Sequence, residues 1–236
     1  MSLMANAQQD TTYQKWEISL TAGISQPFGN YASTSGNGAG FAQLGFASNA
    51  RVNYEFKPKW SAWVNYNVST SAVNKTKVSN QSVAVMQAQI ANYSQTATIQ
   101  NATVVASRWV VQDVTAGVGY HHQIIDKLSA TYYLGAGVAV VRNPSIINTM
   151  YINDLVFETR AKSTNNAALA VNGGVKLAYK VQERTSLFVG AEFYDVFARG
   201  VFEYTTVGAQ KYITEQVSYK QAIQMLNINF GIATHF

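Results

Sequence analysis

Six charged residues occupy the polar positions of alternating segments spread along the chain, and they could do chemistry together if those segments share one sheet. An unpaired charge inside a closed sheet would be costly, so we expect salt bridges and hydrogen-bond networks among them. Two uses stay open: a switchable cation–carboxylate pair that gates a narrow pore, or a polar core that holds the structure round. The six residues are Glu17, Arg51, Glu55, Asp113, Lys176 and Glu192.

Other chemistries find little support in the residues. The chain has no cysteine, which excludes disulfides, Cys-ligated zinc and thiol catalysis. The glycines at 36, 38 and 40 lack the Lys-Ser/Thr of a phosphate-binding loop. The net charge of +5 comes from scattered basic residues, without the clustered footprint of a nucleic-acid-binding protein. We expect no cofactor, no metal and no nucleic-acid partner.

The composition suits a membrane wall built from strands. Hydrophobic residues make up 47% of the chain and charged residues only 12%, against about 25% charged in an ordinary soluble domain. The longest uncharged apolar stretch, residues 128–141, is shorter than the roughly 18 residues that a spanning helix needs. Fourteen Tyr, eleven Phe and four Trp could supply aromatic girdles at the membrane interfaces.

Period-two alternation of apolar and polar residues recurs in eight segments, and this predicts eight half-buried strands. Three links between them are short, at about 57–59, 124–127 and 182–185, and four are long, at about 26–42, 70–107, 143–167 and 198–221. An even strand number with short links on one side and long links on the other is typical of membrane barrels. The predicted segments are 15–24, 44–56, 60–69, 113–121, 128–140, 169–179, 186–194 and 226–236.

We therefore expect an all-β fold: an eight-stranded antiparallel up-and-down transmembrane β-barrel with long external loops and short periplasmic turns. The link 70–107 leaves two alternatives open. Val83, Met86, Ile90 and Tyr93 form a helical stripe, whereas the Thr- and Val-rich later part of the link favours a β-hairpin above the membrane.

Aromatic residues end the apolar faces of the segments on the side of the short turns, where one girdle should lie. The predicted girdle is Trp16, Tyr54, Phe56, Trp60, Tyr120 and Tyr179. The last segment alternates from Leu226 through Phe230 and Ile232 to the terminal Phe236.

On these residues, with the run Trp16 to Gly29 and the pair Gly135 and Gly137, the chain resembles the small outer-membrane β-barrel proteins of Gram-negative bacteria. This group holds the OmpA transmembrane domain, opacity proteins and OmpW-like proteins. The resemblance implies location in the bacterial outer membrane, contact with outer-membrane lipid and lipopolysaccharide, and an assembly signal at Phe230, Ile232 and Phe236 that is read by the barrel-assembly machinery.

We expect a non-enzymatic surface barrel with a structural wall and loops that meet lipopolysaccharide or a host-surface ligand. The alternative is a small passive channel for small or hydrophobic molecules, as in OmpW-like proteins. A lipid-A-modifying enzyme is disfavoured because His121 and His122 point to opposite faces of a strand and lie near a short turn, away from the outer leaflet.

The N-terminus predicts a separate leader. Ala5-Asn6-Ala7 has the A-x-A pattern of a signal-peptidase site. We expect residues 1–13 to be a signal-peptide remnant or a disordered leader, and residues 14–236 to form a single barrel domain.

Overall fold

The computed structural model describes residues 15–36, 38–93, 99–153, 155–208 and 211–236, most of them in antiparallel strands. The predicted leader lies outside the described residues. Neither described helix has the length and hydropathy needed to cross a membrane. The elements are β1 (Trp16–Phe28), α1 (Gly29–Ala32), β2 (Ala42–Lys57), β3 (Trp60–Val73), α2 (Lys75–Tyr93), β4 (Ile99–Ala106), β5 (Trp109–Ile125), β6 (Leu128–Arg142), β7 (Ile146–Ile152), β8 (Leu155–Ala161), β9 (Asn165–Gln182), β10 (Thr185–Gly208) and β11 (Lys211–His235).

Eight of the strands close into a ring in the order β1-β2-β3-β5-β6-β9-β10-β11, and β11 pairs back onto β1. Each neighbour in the ring is antiparallel to the next. The three short links are two-residue turns at 58–59, 126–127 and 183–184. The eight-stranded up-and-down barrel predicted from the alternation is confirmed.

The pairing register fixes the tilt of the strands. We followed the Cα partners from strand to strand once around the ring, starting at Gln112 on β5. The path returns to β5 at His122, ten residues further along. A shear of ten over eight strands, with a ~3.3 Å rise and ~4.8 Å strand spacing, gives a tilt of about 40°. That tilt lies in the range of transmembrane barrels.

Alternation along the strands sorts the side chains between two environments. On β3, Val64 and Tyr66 are exposed on the outside of the ring, while Trp63, Asn65 and Asn67 between them are buried inside. The same pattern holds on the other strands of the ring, so the outer wall is apolar and the interior is largely polar. This is the inverse of a soluble barrel and fits a wall in lipid.

Strands of the external links continue the sheet of the barrel wall beyond the ring. Above the ring, β10 pairs with β8, β8 with β7, and β7 with β4. We call β4, β7, β8 and the part of β10 paired with β8 the loop sheet. The long link predicted at 198–221 is a strand hairpin, because β10 and β11 continue to pair through all 24 positions from Thr185 to Gly208.

For the link 70–107, the helix alternative holds in the first half, whereas the β-hairpin alternative is wrong: the later part is a strand without a described partner in its own link. Its first half is α2, on which Val83, Met86 and Ile90 are half-buried between exposed neighbours. Its second half is β4, which pairs with β7 rather than with a strand of its own link. The side chain of Tyr93, the last member of the predicted stripe, lies outside the description.

Candidate functional site

The centre of the barrel interior is an arginine–glutamate pair held between two aromatic rings. Arg51 Nη2 donates to Glu192 Oε1 at 2.7 Å, and Asn172 Nδ2 donates to the same oxygen at 2.7 Å. The Arg51 guanidinium lies 4.0 Å from the centre of the Tyr133 ring and 4.6 Å from that of Trp63. Both charged side chains are almost completely buried, so the rings and amides replace the water that the ions lose.

A second ion pair lies nearer the short turns. Lys176 Nζ is 2.5 Å from Glu17 Oε1, and Asn53 Nδ2 donates to the same oxygen at 2.6 Å. His235 Nε2 lies 3.9 Å from Glu17 Oε2 and 3.3 Å from Ser186 Oγ. Since one histidine nitrogen faces both groups, the three residues do not have the geometry of a nucleophile, a base and its orienting acid.

The remaining two predicted charges are placed differently. Asp113 is 2% exposed and accepts a hydrogen bond of 2.7 Å from Asn67 Nδ2, within a group of amides and hydroxyls. Glu55 lies at the end of β2, where its Oε1 accepts from the backbone N–H of Lys59 across the turn at 3.1 Å. The structure therefore brings five of the six residues into the interior and places Glu55 at its edge.

These side chains leave little open space. The cavity beside the two ion pairs has a volume of about 10 Å³, room for about one water molecule. Glycines on the wall make space for the rings: a Cβ added at Gly135 would meet Trp63 Cη2 at 2.3 Å. Among the described residues, the polar side chains pack closely around this cavity, as the narrow interior of an eight-stranded barrel allows.

An apolar cluster closes the barrel interior at the external end. Tyr31 on α1 packs edge-on against Trp109 at the start of β5, with ring centres 5.4 Å apart, and both rings are almost fully buried. Trp109 Nε1 donates to the Gly40 carbonyl at 2.9 Å, and burial raises the pKa of Tyr31 above its ordinary value. The cluster also contains Val73, Val78, Val111, Val141, Val196, Ile223 and Met225.

We call this cluster the apolar cap. It was not predicted from the sequence: Val111 and Ile223 continue the inward side of β5 and β11 beyond the predicted segments, and Val78 lies on α2. The signal was present in β5, where the inward positions change from Thr115 and Asp113 to Val111 and Trp109.

The predicted girdle residues lie together at the end of the barrel with the short turns. Trp16 is paired with Tyr54 and Trp60 with Tyr120, at ring-centre distances of 4.7 and 5.2 Å. Phe56 and Tyr179 lie on the same rim, and about half of each side chain is exposed. The predicted assembly residues Phe230, Ile232 and Phe236 are all exposed on the outer wall, and the Phe236 backbone exchanges two hydrogen bonds with Trp16.

The loop sheet has one buried and one open face. Asn148, Met150 and Ile152 face inward and are buried, whereas the alternate positions look outward. Sequence reasoning missed the β7–β8 hairpin, although Asn153-Asp154 between two β-rich runs is a turn signal; Asn153 has a φ of 45°. The outward residues are Asn101, Thr103, Val105, Ile147, Thr149, Tyr151, Val156, Glu158 and Arg160.

Comparisons with known proteins agree with this architecture. No protein-family model and no curated protein matches the sequence. A major outer membrane protein from Thermus thermophilus aligns over 94% of this chain and 99% of its own, at 12% identity and a TM-score of 0.50. Neisserial surface protein A aligns over 94% and 97%, at 12% identity and a TM-score of 0.46. Ail of Yersinia pestis aligns over 94% and 99%, at 12% identity and a TM-score of 0.42.

At this identity the likeness concerns the fold. The closed ring of eight tilted strands, the polar interior and the apolar outer wall are all features of the molecule itself. Together with the likeness to the Thermus structure, they show that the chain has the fold of the small outer-membrane β-barrels, with an apolar outer wall suited to lipid.

Proposed function

We propose that the protein is a non-enzymatic outer-membrane surface protein, in which the barrel is an anchor and the loop sheet is the interacting part. The observation that carries the proposal is the open outward face of the loop sheet, which stands above the apolar wall on paired strands. Val105 is 64% exposed, Val156 49% and Tyr151 40%. Such a rigid face, apolar and aromatic with a few polar groups, has the composition of a protein-binding surface.

The barrel interior supports an anchoring role over transport. The ion pairs at Arg51 and Lys176 occupy its polar part, and the apolar cap around Trp109 lies at its external end. A passive channel would need a continuous path, whereas the cavity described beside the ion pairs holds about one water molecule. A lipid-A-modifying enzyme gains no support from His121, which is 3.2 Å from Thr131 Oγ1 near a short turn.

The test compares bacteria carrying the wild type, an empty vector or a loop-sheet variant with V105S, Y151S and V156S for binding to cultured epithelial cells. We expect binding above the vector for the wild type and near the vector level for the variant. The matched control replaces three exposed apolar residues at the opposite end, with I124S, I125S and V181S, and should bind like the wild type.

Heat-modifiable migration on a gel confirms that each variant is folded. Wild-type binding no higher than the vector would contradict the proposal, as would unchanged binding of the loop-sheet variant. Planar-bilayer recordings address the channel alternative: we expect no conductance above background, and regular single-channel steps would favour transport instead.

A further inference from the structure

We propose that Lys176, Asn53 and Glu17 form a self-modification site inside the barrel, where an isopeptide bond forms between the amine of Lys176 and the side-chain amide of Asn53. Glu17 carries the protons, and ammonia is released. We call these three residues the lysine–asparagine site. It lies apart from the loop-sheet face, so the proposal does not depend on what that face binds.

One carboxylate oxygen holds both reacting groups. Lys176 Nζ lies 2.5 Å from Glu17 Oε1, and Asn53 Nδ2 donates to the same oxygen at 2.6 Å. Two nitrogens within hydrogen-bond distance of one atom lie close to each other, and the Asn53 Cγ carbon is bonded to one of them. The flexible four-carbon stem of the lysine therefore has only a short distance to cover before Nζ meets that carbon.

The pairing of the strands explains why these residues meet. Glu17 and Asn53 are directly opposite Cα partners on β1 and β2, so their side chains lie next to each other on one face. β9 carries Lys176 and lies opposite β2 in the eight-stranded ring. The long lysine side chain reaches the other two residues across the interior. A bond between Lys176 and Asn53 would therefore join two opposite sides of the barrel.

The surroundings shield the site from water. The side chains of Lys176 and Glu17 are only 8% and 16% exposed. Lys176 Nζ lies 5.1 Å from the centre of the Phe188 ring, which packs with Ala178 and Ala233. A desolvated lysine beside a base is the form of this residue that acts as a nucleophile. Lys176 and Phe188 also line the cavity described above, which has room for a molecule as small as ammonia.

The reaction balances without an outside reagent. Glu17 takes a proton from the Lys176 ammonium, and the free amine attacks Cγ of Asn53 to give a tetrahedral adduct. Glu17 then gives its proton to Nδ2 and takes a second proton from the lysine nitrogen. The bond from Cγ to Nδ2 breaks, and the ammonia takes that second proton from Glu17 and departs as an ammonium ion. Since this ion diffuses away, the new amide accumulates even where the free amine is rare.

The test compares the mass of the full chain before and after folding. The chain dissolved from inclusion bodies in urea should have the mass of its sequence, and the same preparation refolded in detergent should be lighter by one ammonia molecule. Tandem mass spectrometry of a tryptic digest locates the loss, because cyclisation of an N-terminal glutamine also releases ammonia. We expect the peptide of Asn53 to be joined to that of Lys176, without cleavage after Lys176.

Substitutions assign the roles. The two peptides should stay separate in K176R, which removes the amine, in N53A, which removes the amide, and in E17Q, which removes the proton acceptor. The matched control N49A removes another inward amide of β2 and should form the bond as the wild type does. Heat-modifiable migration shows that each variant is folded.

The wild type alone can overturn the proposal. A folded wild type with the full mass of its sequence, free peptides and normal cleavage after Lys176 would do so, whether or not the variants fold. Loss of water with Lys176 joined to Glu17 would also contradict it. A bond between Lys176 and Asn53 in folded E17Q would overturn the role given to Glu17.

Discussion

At the scale of single residues, the barrel interior depends on where side chains are missing. Gly117 and Gly135 lie opposite each other on β5 and β6, and both face the indole of Trp63. Their missing Cβ atoms make the space into which the large ring fits. The indole in turn lies against Arg51, so the position of the central ion pair depends on two glycines.

We predict that Gly135→Ala destabilises the barrel by about 1–3 kcal/mol, the usual cost of overpacking a tight interior. The new methyl group would lie 2.3 Å from Trp63 Cη2 and 2.6 Å from the Ala116 carbonyl oxygen, so the indole or the backbone must shift. Urea unfolding in detergent micelles measures the difference. Gly190→Ala is the matched control, since its Cβ would have 3.5 Å to the nearest atom, and it should cost much less.

A second variant separates crowding from a backbone effect. The double variant W63F/G135A removes the outer ring of the indole, and we expect it to recover part of the stability that Gly135→Ala loses relative to its own W63F parent. If Gly135→Ala costs the same unfolding free energy in the W63F background as in the wild type, the new methyl group does not clash with the indole of Trp63.

At the scale of elements, the hairpin of β10 and β11 is the feature that distinguishes this chain from a plain barrel. Its strands continue past the last pair between β10 and β9, Phe197 with Leu169, and β10 is paired again with β8 from Tyr204 onward. The hairpin thus links the membrane wall to the loop sheet by continuous backbone hydrogen bonds.

We predict that the backbone amides of 199–208 and 211–220 that bond across the hairpin exchange slowly with deuterium. Exchange of a flexible external link should be complete within seconds, while a paired hairpin should retain protection for at least minutes. Hydrogen-exchange mass spectrometry in micelles makes the comparison, with the link 162–164 as the internal reference. Equal, fast exchange in both regions would contradict the hairpin.

The ring strands and short turns could be predicted from the sequence because period-two alternation depends only on which face meets lipid. The loop sheet could not, because its strands have one face on the apolar cap and the other in solvent, and its pairs come from three different links. β4 gives no sign in the sequence that its partner is β7. The link 70–107 was ambiguous for the same reason. The partner of its later strand lies in another link, so the sequence of the link alone could not decide between a helix and a hairpin.

The ion pairs were only partly predictable for a related reason. Alternation assigned Arg51 and Glu192 to the polar interior, yet β2 and β10 are not neighbours in the ring. Their contact at 2.7 Å spans the width of the barrel, and such cross-barrel partners follow from the shear and diameter rather than from any spacing in the sequence.

At the scale of the whole molecule, β11 both closes the ring by pairing with β1 and presents an exposed apolar stripe on the outer wall. We propose that the exposed stripe ending at Phe236 is read during assembly, and we predict that Phe236→Ala lowers the heat-modifiable fraction in cell membranes. Phe56→Ala, which removes a similarly exposed ring from the same rim, should leave that fraction unchanged. Purified F236A should refold in detergent as well as the wild type, because the machinery is absent there; a matching refolding defect would instead indicate a stability effect.

The closure of the ring also sets an order of events in time. β1 and β11 lie at opposite ends of the described chain, and the pairs from Glu17–His235 to Phe28–Gln224 form the seam. Until β11 has been made, β1 and β10 each present an unpaired edge that can join the wrong partner. At a synthesis rate of about 5–20 residues per second, β1 waits on the order of ten seconds or longer for its partner. During that interval the first strand keeps an unpaired edge that is exposed to aggregation.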